Sequence, residues 1–146
     1  MEPVIKIKEG DIATVVALSK AIPEFDNPHG VEEYEKRLTG VKHLILIAIV
    51  EGQIAGFKVG YERGEYFYSW MGGVLPAFRR FGIAKALAET QESWAFQEGY
   101  RFLQFTTRNR HKAMLVFALL RGFYITGLEP REDIVNSRIF LEKRLG

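Results

Sequence analysis

The spacing of apolar residues changes period once, near Pro76, and that change restricts the chain to folds in which a long helix follows directly on a run of strands. Before it, residues 43–50 are almost wholly apolar and largely β-branched, the mark of a strand covered on both faces. Glu51-Gly52 forms a two-residue turn into residues 53–61, where Ala55, Phe57, Val59 and Tyr61 fall on one face. A second turn at Arg63-Gly64 leads into residues 65–75. Together these segments predict an antiparallel meander. After Pro76, the residues Ile83, Ala86, Leu87, Thr90 and Trp94 recur at helical spacing up to Gly99.

The flanking segments complete the order. Residues 4–8 alternate apolar and charged, as a half-buried strand does. Asp11 is placed to cap a helix carrying Ile12, Val15, Val16 and Leu18. That helix must fail near Ile22-Pro23, because proline disfavours helical backbone in the residue before it. Residues 23–30 then read as a loop and 31–39 as a second short helix. Residues 102–107 read as a strand, and Asn109 as the cap of a helix running to Arg121 and closed by Gly122. Residues 123–128 and 134–145 are expected as the last two strands. Helices separate only some of the strands, so a mixed sheet is expected within a single domain over residues 1–146.

Composition narrows the chemistry. The 20 Lys and Arg against 18 Asp and Glu leave a net charge of only +2, which gives no sign of a general nucleic-acid or membrane-surface binder, so any anion site must come from local arrangement. With 0 cysteines, disulfides, thiolate metal sites and an acyl-cysteine intermediate are all excluded; no metal is expected. The charged start of the chain lacks the apolar core of a signal peptide, and the apolar runs near 44–50 and 113–120 are too short to cross a bilayer. A cytoplasmic location is the expectation.

The segment Val74-Leu75-Pro76-Ala77-Phe78-Arg79-Arg80-Phe81-Gly82-Ile83-Ala84 joins the last meander strand to the long helix. The first N–H groups of a helix have no partner within it, and its dipole places partial positive charge there. Free amides, two small residues and two arginines suit a diphosphate. The same small residues would also serve tight strand–helix packing, and the arginines could simply be solvated. The spacing is neither a Walker loop nor Gly-x-Gly-x-x-Gly.

Arg79-Arg80-Phe81-Gly82-Ile83-Ala84 resembles the Arg/Gln-x-x-Gly-x-Gly/Ala signature of the GNAT superfamily of N-acetyltransferases. The companions of that signature are present in order: Val74-Leu75-Pro76 before it, then Thr107-Arg108-Asn109 and Gly122-Phe123. The resemblance covers nearly the whole chain. It implies an α+β, three-layer fold, with a mostly antiparallel twisted sheet of about seven strands flanked by about four helices. The sheet would be splayed between residues 65–75 and 101–107 to admit the pantetheine arm of acetyl-CoA, the co-substrate. The amides of Arg80, Phe81, Gly82, Ile83, Ala84 and Lys85 would hold the pyrophosphate, with Arg79 at the head of the signature. The backbone around Gly73 and Val74 would pair with pantetheine and stabilise an oxyanion. Gly72-Gly73 fits a bulge or a close backbone approach. Asn109 would reach the pantetheine or only cap its helix. Arg108, Arg110, His111 and Lys112 would meet the 3′-phosphate or remain solvated.

The catalytic residues are less regular. Without cysteine, direct attack of a primary amine on the bound thioester is the expected mechanism. Many family members carry a Tyr where this chain has Ala118. Tyr124 would replace it only if its strand faces the cleft. Some members carry a carboxylate base where this chain has Tyr68, and a phenol is a poor base at neutral pH. Glu24, in the loop expected over the acceptor site, is the candidate base or amine anchor, with a partly apolar setting expected to raise its pKa. His29 reads as a turn residue. Tyr66, Tyr68 and Trp70 share one strand face and line either an acceptor pocket or the core. Residues 113–120 are apolar all round, so the helix is expected to be buried on more than one side, including against a second subunit in a homodimer. The acceptor is a small-molecule or peptide amine. The competing reading is a non-catalytic acyl-CoA-binding or regulatory domain, which would bind the coenzyme without amine-dependent thiol release.

Overall fold

The computed structural model describes residues 4–146. Its seven strands are β1 (Ile5–Glu9), β2 (His43–Val50), β3 (Gln53–Arg63), β4 (Tyr66–Val74), β5 (Phe102–Arg108), β6 (Tyr124–Glu129) and β7 (Arg138–Arg144). The four α-helices are α1 (Ile12–Lys20), α2 (Val31–Leu38), α3 (Ile83–Gln97) and α4 (Lys112–Leu120). The strands form one sheet in the order β1-β2-β3-β4-β5-β7-β6. Every pairing is antiparallel except β4 with β5, which is parallel. A parallel neighbour needs a crossover, and α3 supplies it. The expected mixed sheet and meander are present, and element ends fall within a few residues of those read from the sequence.

The sheet separates two cores. Leu44, Leu46 and Ala48 of β2 join α3 and Ala118 of α4 on one face. Ile45 and Ile47 join α1 and α2 on the other. The unbroken apolar run of β2 follows directly from this double coverage.

Several expectations need correction. Ala55 belongs to the α3 core while Phe57, Val59 and Tyr61 belong to the α1/α2 core. The register skips Ala55, pairing Ile54 with Ile49 and Gly56 with Ala48, and one extra residue reverses which face follows. Asn109 does not cap α4. The cap position is His111, while the Asn109 amide donates to the Ile134 carbonyl at 3.3 Å and its backbone N–H to Ser137. The segment expected as strand from residue 134 begins instead with a short 3-10 turn, Ile134–Asn136. Finally, α4 is not enclosed by the rest of its own chain. Only Ala118 of it is buried, and Met114, Val116, Leu119 and Leu120 are exposed.

Gly56 sets the distance between β3, the end of β4 and the start of α3. A Cβ there would stand 2.8 Å from the Gly73 carbonyl oxygen and 3.4 Å from Ile83. The first contact is with backbone and cannot rotate away. Gly56→Ala is therefore expected to cost about 1–3 kcal/mol, read as a lower midpoint in urea unfolding with an unchanged slope.

Candidate active site

The parallel pair is short. β4 and β5 are in register only at Phe67 with Leu103 and Tyr68 with Gln104. Beyond those pairs, β4 stays bound to β3 as far as Val74, and β5 to β7 as far as Arg108. The two strands therefore diverge, and the backbone edges of residues 69–74 and 105–108 face each other unpaired. The cause lies in β4. Val59 pairs with Met71 and Gly60 with Ser69, which leaves Trp70 as a bulged residue, and bulges bend and twist the strand that carries them. The bulge thus sits at Trp70 and not at the glycine pair. Gly73 matters for another reason. A Cβ there would meet Ile22 at 2.7 Å, so its bareness lets the end of α1 lie on the strand.

The open end of this cleft leads to the start of α3. Within that turn Arg80 and Gly82 both have positive φ, 71° and 80°, which alternates the backbone and turns successive amides toward one side. Ala86 is the first residue to donate into the helix, to the Gly82 carbonyl. Among the described residues, the N–H groups of residues 80–85 donate to no backbone carbonyl. The space where a Gly82 Cβ would stand contains no atom within 4 Å. Glycine is thus demanded by backbone conformation, and the space beside it is open. The arginines divide their work. Arg80 forms no ion pair among the described residues, and Lys85 pairs loosely with Glu89 at 3.8 Å. Arg79 turns back, donating from Nε to the Val74 carbonyl at 3.2 Å and from Nη2 to Glu24 at 2.7 Å. Its guanidinium ties the loop after α1 to the end of β4.

That tie overturns one expectation about Glu24. Arg79 holds the Glu24 carboxyl below its ordinary range, against a smaller opposing effect of burial. The apolar setting expected to raise it is absent. His111 stands near enough to feel both Glu24 and Asp26, yet burial, aided by Arg110 and Arg108, pushes its pKa down from the ordinary 6.5. These effects favour the neutral imidazole. Arg110 reaches Asp26 at 4.0 Å on one side and bonds Asn136 on the other. Glu24, Asp26, Arg79, Arg110 and His111 therefore gather at the cleft mouth from three separate loops.

The aromatic strand face lies on the α1/α2 side. Trp70 packs on Tyr34 at 4.7 Å, on His29 at 5.3 Å and on Tyr61 at 5.9 Å, with the Arg37 guanidinium over its ring at 4.4 Å. Tyr68 lies edge-on to Tyr61 at the point where β4 and β5 part. Tyr124 is not brought to this place. It is 77% exposed on β6, the outer strand, with β7 between it and β5.

The sequence matches the Acetyltransferase (GNAT) family over residues 14–123. The chain belongs to that family. The family assignment makes it an acetyl-CoA-dependent acyltransferase, and the observed sheet and helix order are those that the signature implied. Solved GNAT structures agree in fold. The ribosomal-protein-S18-alanine N-acetyltransferase of Escherichia coli superimposes with a TM-score of 0.85 at 15% identity, over 98% of this chain and 95% of that one. Ard1 of Thermoplasma volcanium gives 0.81 at 17% identity, over 97% and 98%. The yncA protein of Salmonella typhimurium, solved with acetyl-CoA, gives 0.75 at 16% identity, over 97% and 94%. No curated protein sequence matches the chain. Among the described residues no group of three His, Asp or Glu side chains could hold a metal ion, and no helix is long and apolar enough to cross a membrane.

Two residues escaped the sequence reading. His111 was legible only as one member of a basic run. Lys58, on β3, lies against Gly72, its ammonium 3.7 Å from where a Cβ would stand there. Burial, opposed by the charge of Glu92 and aided by that of Arg121, lowers its pKa to about 8. The unfolded chain, with lysine at the ordinary 10.5, binds this proton more tightly than the folded one. Stability is therefore reduced below pH 8 and recovers as pH rises from about 8 to 10.5. In thermal melts across that range, Lys58→Met is expected to lose this rise and to exceed the wild type in melting temperature at pH 7.

Proposed function

We propose that the chain acetylates a primary amine by direct attack on the thioester of acetyl-CoA in a ternary complex. One observation carries the reading: the unpaired amides of residues 80–85 open onto the mouth of a split parallel strand pair. An anion of two linked phosphates is held there by backbone N–H groups and the helix dipole. The exposed Arg80 and Lys85 side chains add charge from outside, while Arg79 acts through position. The pantetheine arm fills the gap between β4 and β5, satisfying the strand edges that no neighbour pairs. Asn109 stands beside that arm's path at the end of β5.

The acceptor enters from the α1/α2 face. Glu24, ionised and fixed by Arg79, is a poor base but a good anchor for an ammonium group. His111, neutral at working pH, takes the proton. The nitrogen then attacks the carbonyl carbon, and the oxyanion is met by a strand amide near Gly73 or Val74. Collapse breaks the C–S bond, and the departing thiolate takes up the second proton that the nitrogen sheds on becoming an amide. A thiol titrates at roughly 8.5, so the thiolate departs without the hydroxyl that Ala118 lacks. Tyr68 and the aromatic group around Trp70 form the apolar wall of the acceptor side. Tyr124 takes part only if a second copy of the chain brings it to the cleft.

Gly82→Glu is expected to abolish acetyl-CoA binding in calorimetry, since it puts a strained backbone, bulk and a negative charge beside the unpaired amides. Unchanged affinity would remove the cradle from the mechanism. His111→Gln should lower kcat about 100-fold while acetyl-CoA affinity holds. In the wild type, the acid limb of the kcat/KM profile against pH should lie below the ordinary histidine value of 6.5 and should vanish in the variant. Amine-independent thiol release, or none from any amine with coenzyme bound, would favour the non-catalytic acyl-CoA-binding reading.

A further inference from the structure

The two faces of the sheet are covered unequally. The core beneath α1 and α2 takes residues from β2, β3 and β4 and none from β5 or β7. Leu103 and Phe105 of β5, and Ile139 and Leu141 of β7, turn to the opposite, α3 face. Gln104, Thr106 and Arg108, with Arg138, Phe140 and Glu142 across from them, therefore line an uncovered strip of sheet beside the cleft. This strip lies on the side from which the acceptor approaches.

At the cleft's open end the strip terminates in an unusual pair. Arg108 and Arg138 stand directly opposite each other in the β5–β7 register. Like charges in that position repel. Neither arginine forms an ion pair among the described residues, although nearby cations are paired: Arg110 with Asp26 and Arg131 with Glu129. The two side chains line a hollow of about 410 Å³, closed by the loop before β7 that carries Arg131, Glu132, Asp133 and Asn136. Asp133 faces inward to its own loop, accepting from the Val135 N–H at 3.3 Å. Two guanidinium forks that line one hollow and pair with neither of its carboxylates match a planar oxyanion, which they bind through paired N–H donors.

From this juxtaposition we infer that Arg108 and Arg138 bind a carboxylate carried by the acceptor, so that the acceptor is an amine bearing a carboxylate, an amino acid or a short peptide with a free C-terminus. The inference rests on the proposed ternary mechanism and deepens it. Along the chain Arg108 groups with residues expected to meet the 3′-phosphate of the coenzyme, but its strand position puts it on the face opposite α3 and α4. The anion it serves there belongs to the second substrate. Repulsion between the arginines is relieved when that anion binds, and Glu132 in the hollow's wall opposes ligands with a second negative charge.

The test uses the full chain and a panel of free amino acids and dipeptides, each paired with its C-terminal amide, with thiol release from acetyl-CoA as the readout. Free acids are expected to exceed their amides in kcat/KM by about tenfold or more. In the double variant Arg108→Gln, Arg138→Gln that preference should fall to within about twofold, with the KM for acetyl-CoA unchanged and the melting temperature equal or higher. Equal rates for acids and amides in the wild type would overturn the inference. So would a variant whose loss appears in the KM for acetyl-CoA, which would assign the pair to the donor. A panel with no reactive acid overturns it as well; intact acetyl-CoA binding in that case leaves the coenzyme cradle standing, whereas loss of binding to the wild type would be the failure of the proposed function itself.

Discussion

The structure depends on a strand pair that is allowed to meet at only two positions. β4 is bound along its whole length to β3, and β5 along its whole length to β7. Each is therefore rigid in its own half of the sheet. The bulge at Trp70 turns β4 away just after Tyr68, so the halves cannot close on each other. Buried or half-buried backbone edges without partners are costly, and a fold keeps them only where something else can bind. The split thus converts the centre of the sheet from a structural element into a slot, and α3, the crossover that makes the pair parallel, delivers its own unpaired amides to the slot's mouth.

Electrostatics hold the mouth together without filling it. Arg79 joins the loop after α1 to the end of β4, and Arg110 joins that same loop to the turn before β7. These contacts are largely exposed and contribute little to global stability. Their value is positional: they bring Glu24 and Asp26 close to His111. The consequence is a division of labour between two ionisable groups. The carboxylate stays charged because of its arginine, and the imidazole stays neutral because it is partly buried among cations. A site that must hold an ammonium group and also accept its proton needs one group of each kind.

Much of the fold was legible in the residues. The double-faced apolar run of β2, the shift to helical spacing after Pro76 and the turn at residues 51–52 are local properties observed where the pattern placed them, and the second turn falls at residues 64–65, one position beyond the Arg63-Gly64 the pattern marked. The errors in the strands share one cause. At Ala55 a single extra residue reverses the alternation that follows, and at Trp70 another puts the bulge ahead of the glycine pair expected to carry it; nothing in a list of side chains marks such an insertion. Asn109 looked like a cap because Asn often is one, but the loop before β7 offered it a carbonyl instead. The low pKa of Glu24 depends on a partner fifty-five positions away, and the lowered pKa of His111 chiefly on its partial burial.

By itself, then, the sequence determined what needs only neighbours along the chain: the strands and helices, and the Arg-x-x-Gly-x-Ala turn whose backbone requires glycine at residue 82. Tertiary structure alone decided which strands lie side by side, where the parallel pair parts, and which charges meet at its mouth. The physical reason is range. Backbone conformation and amphipathic spacing act over a turn or two, whereas register, burial and ion pairing depend on segments that only the folded sheet brings into contact.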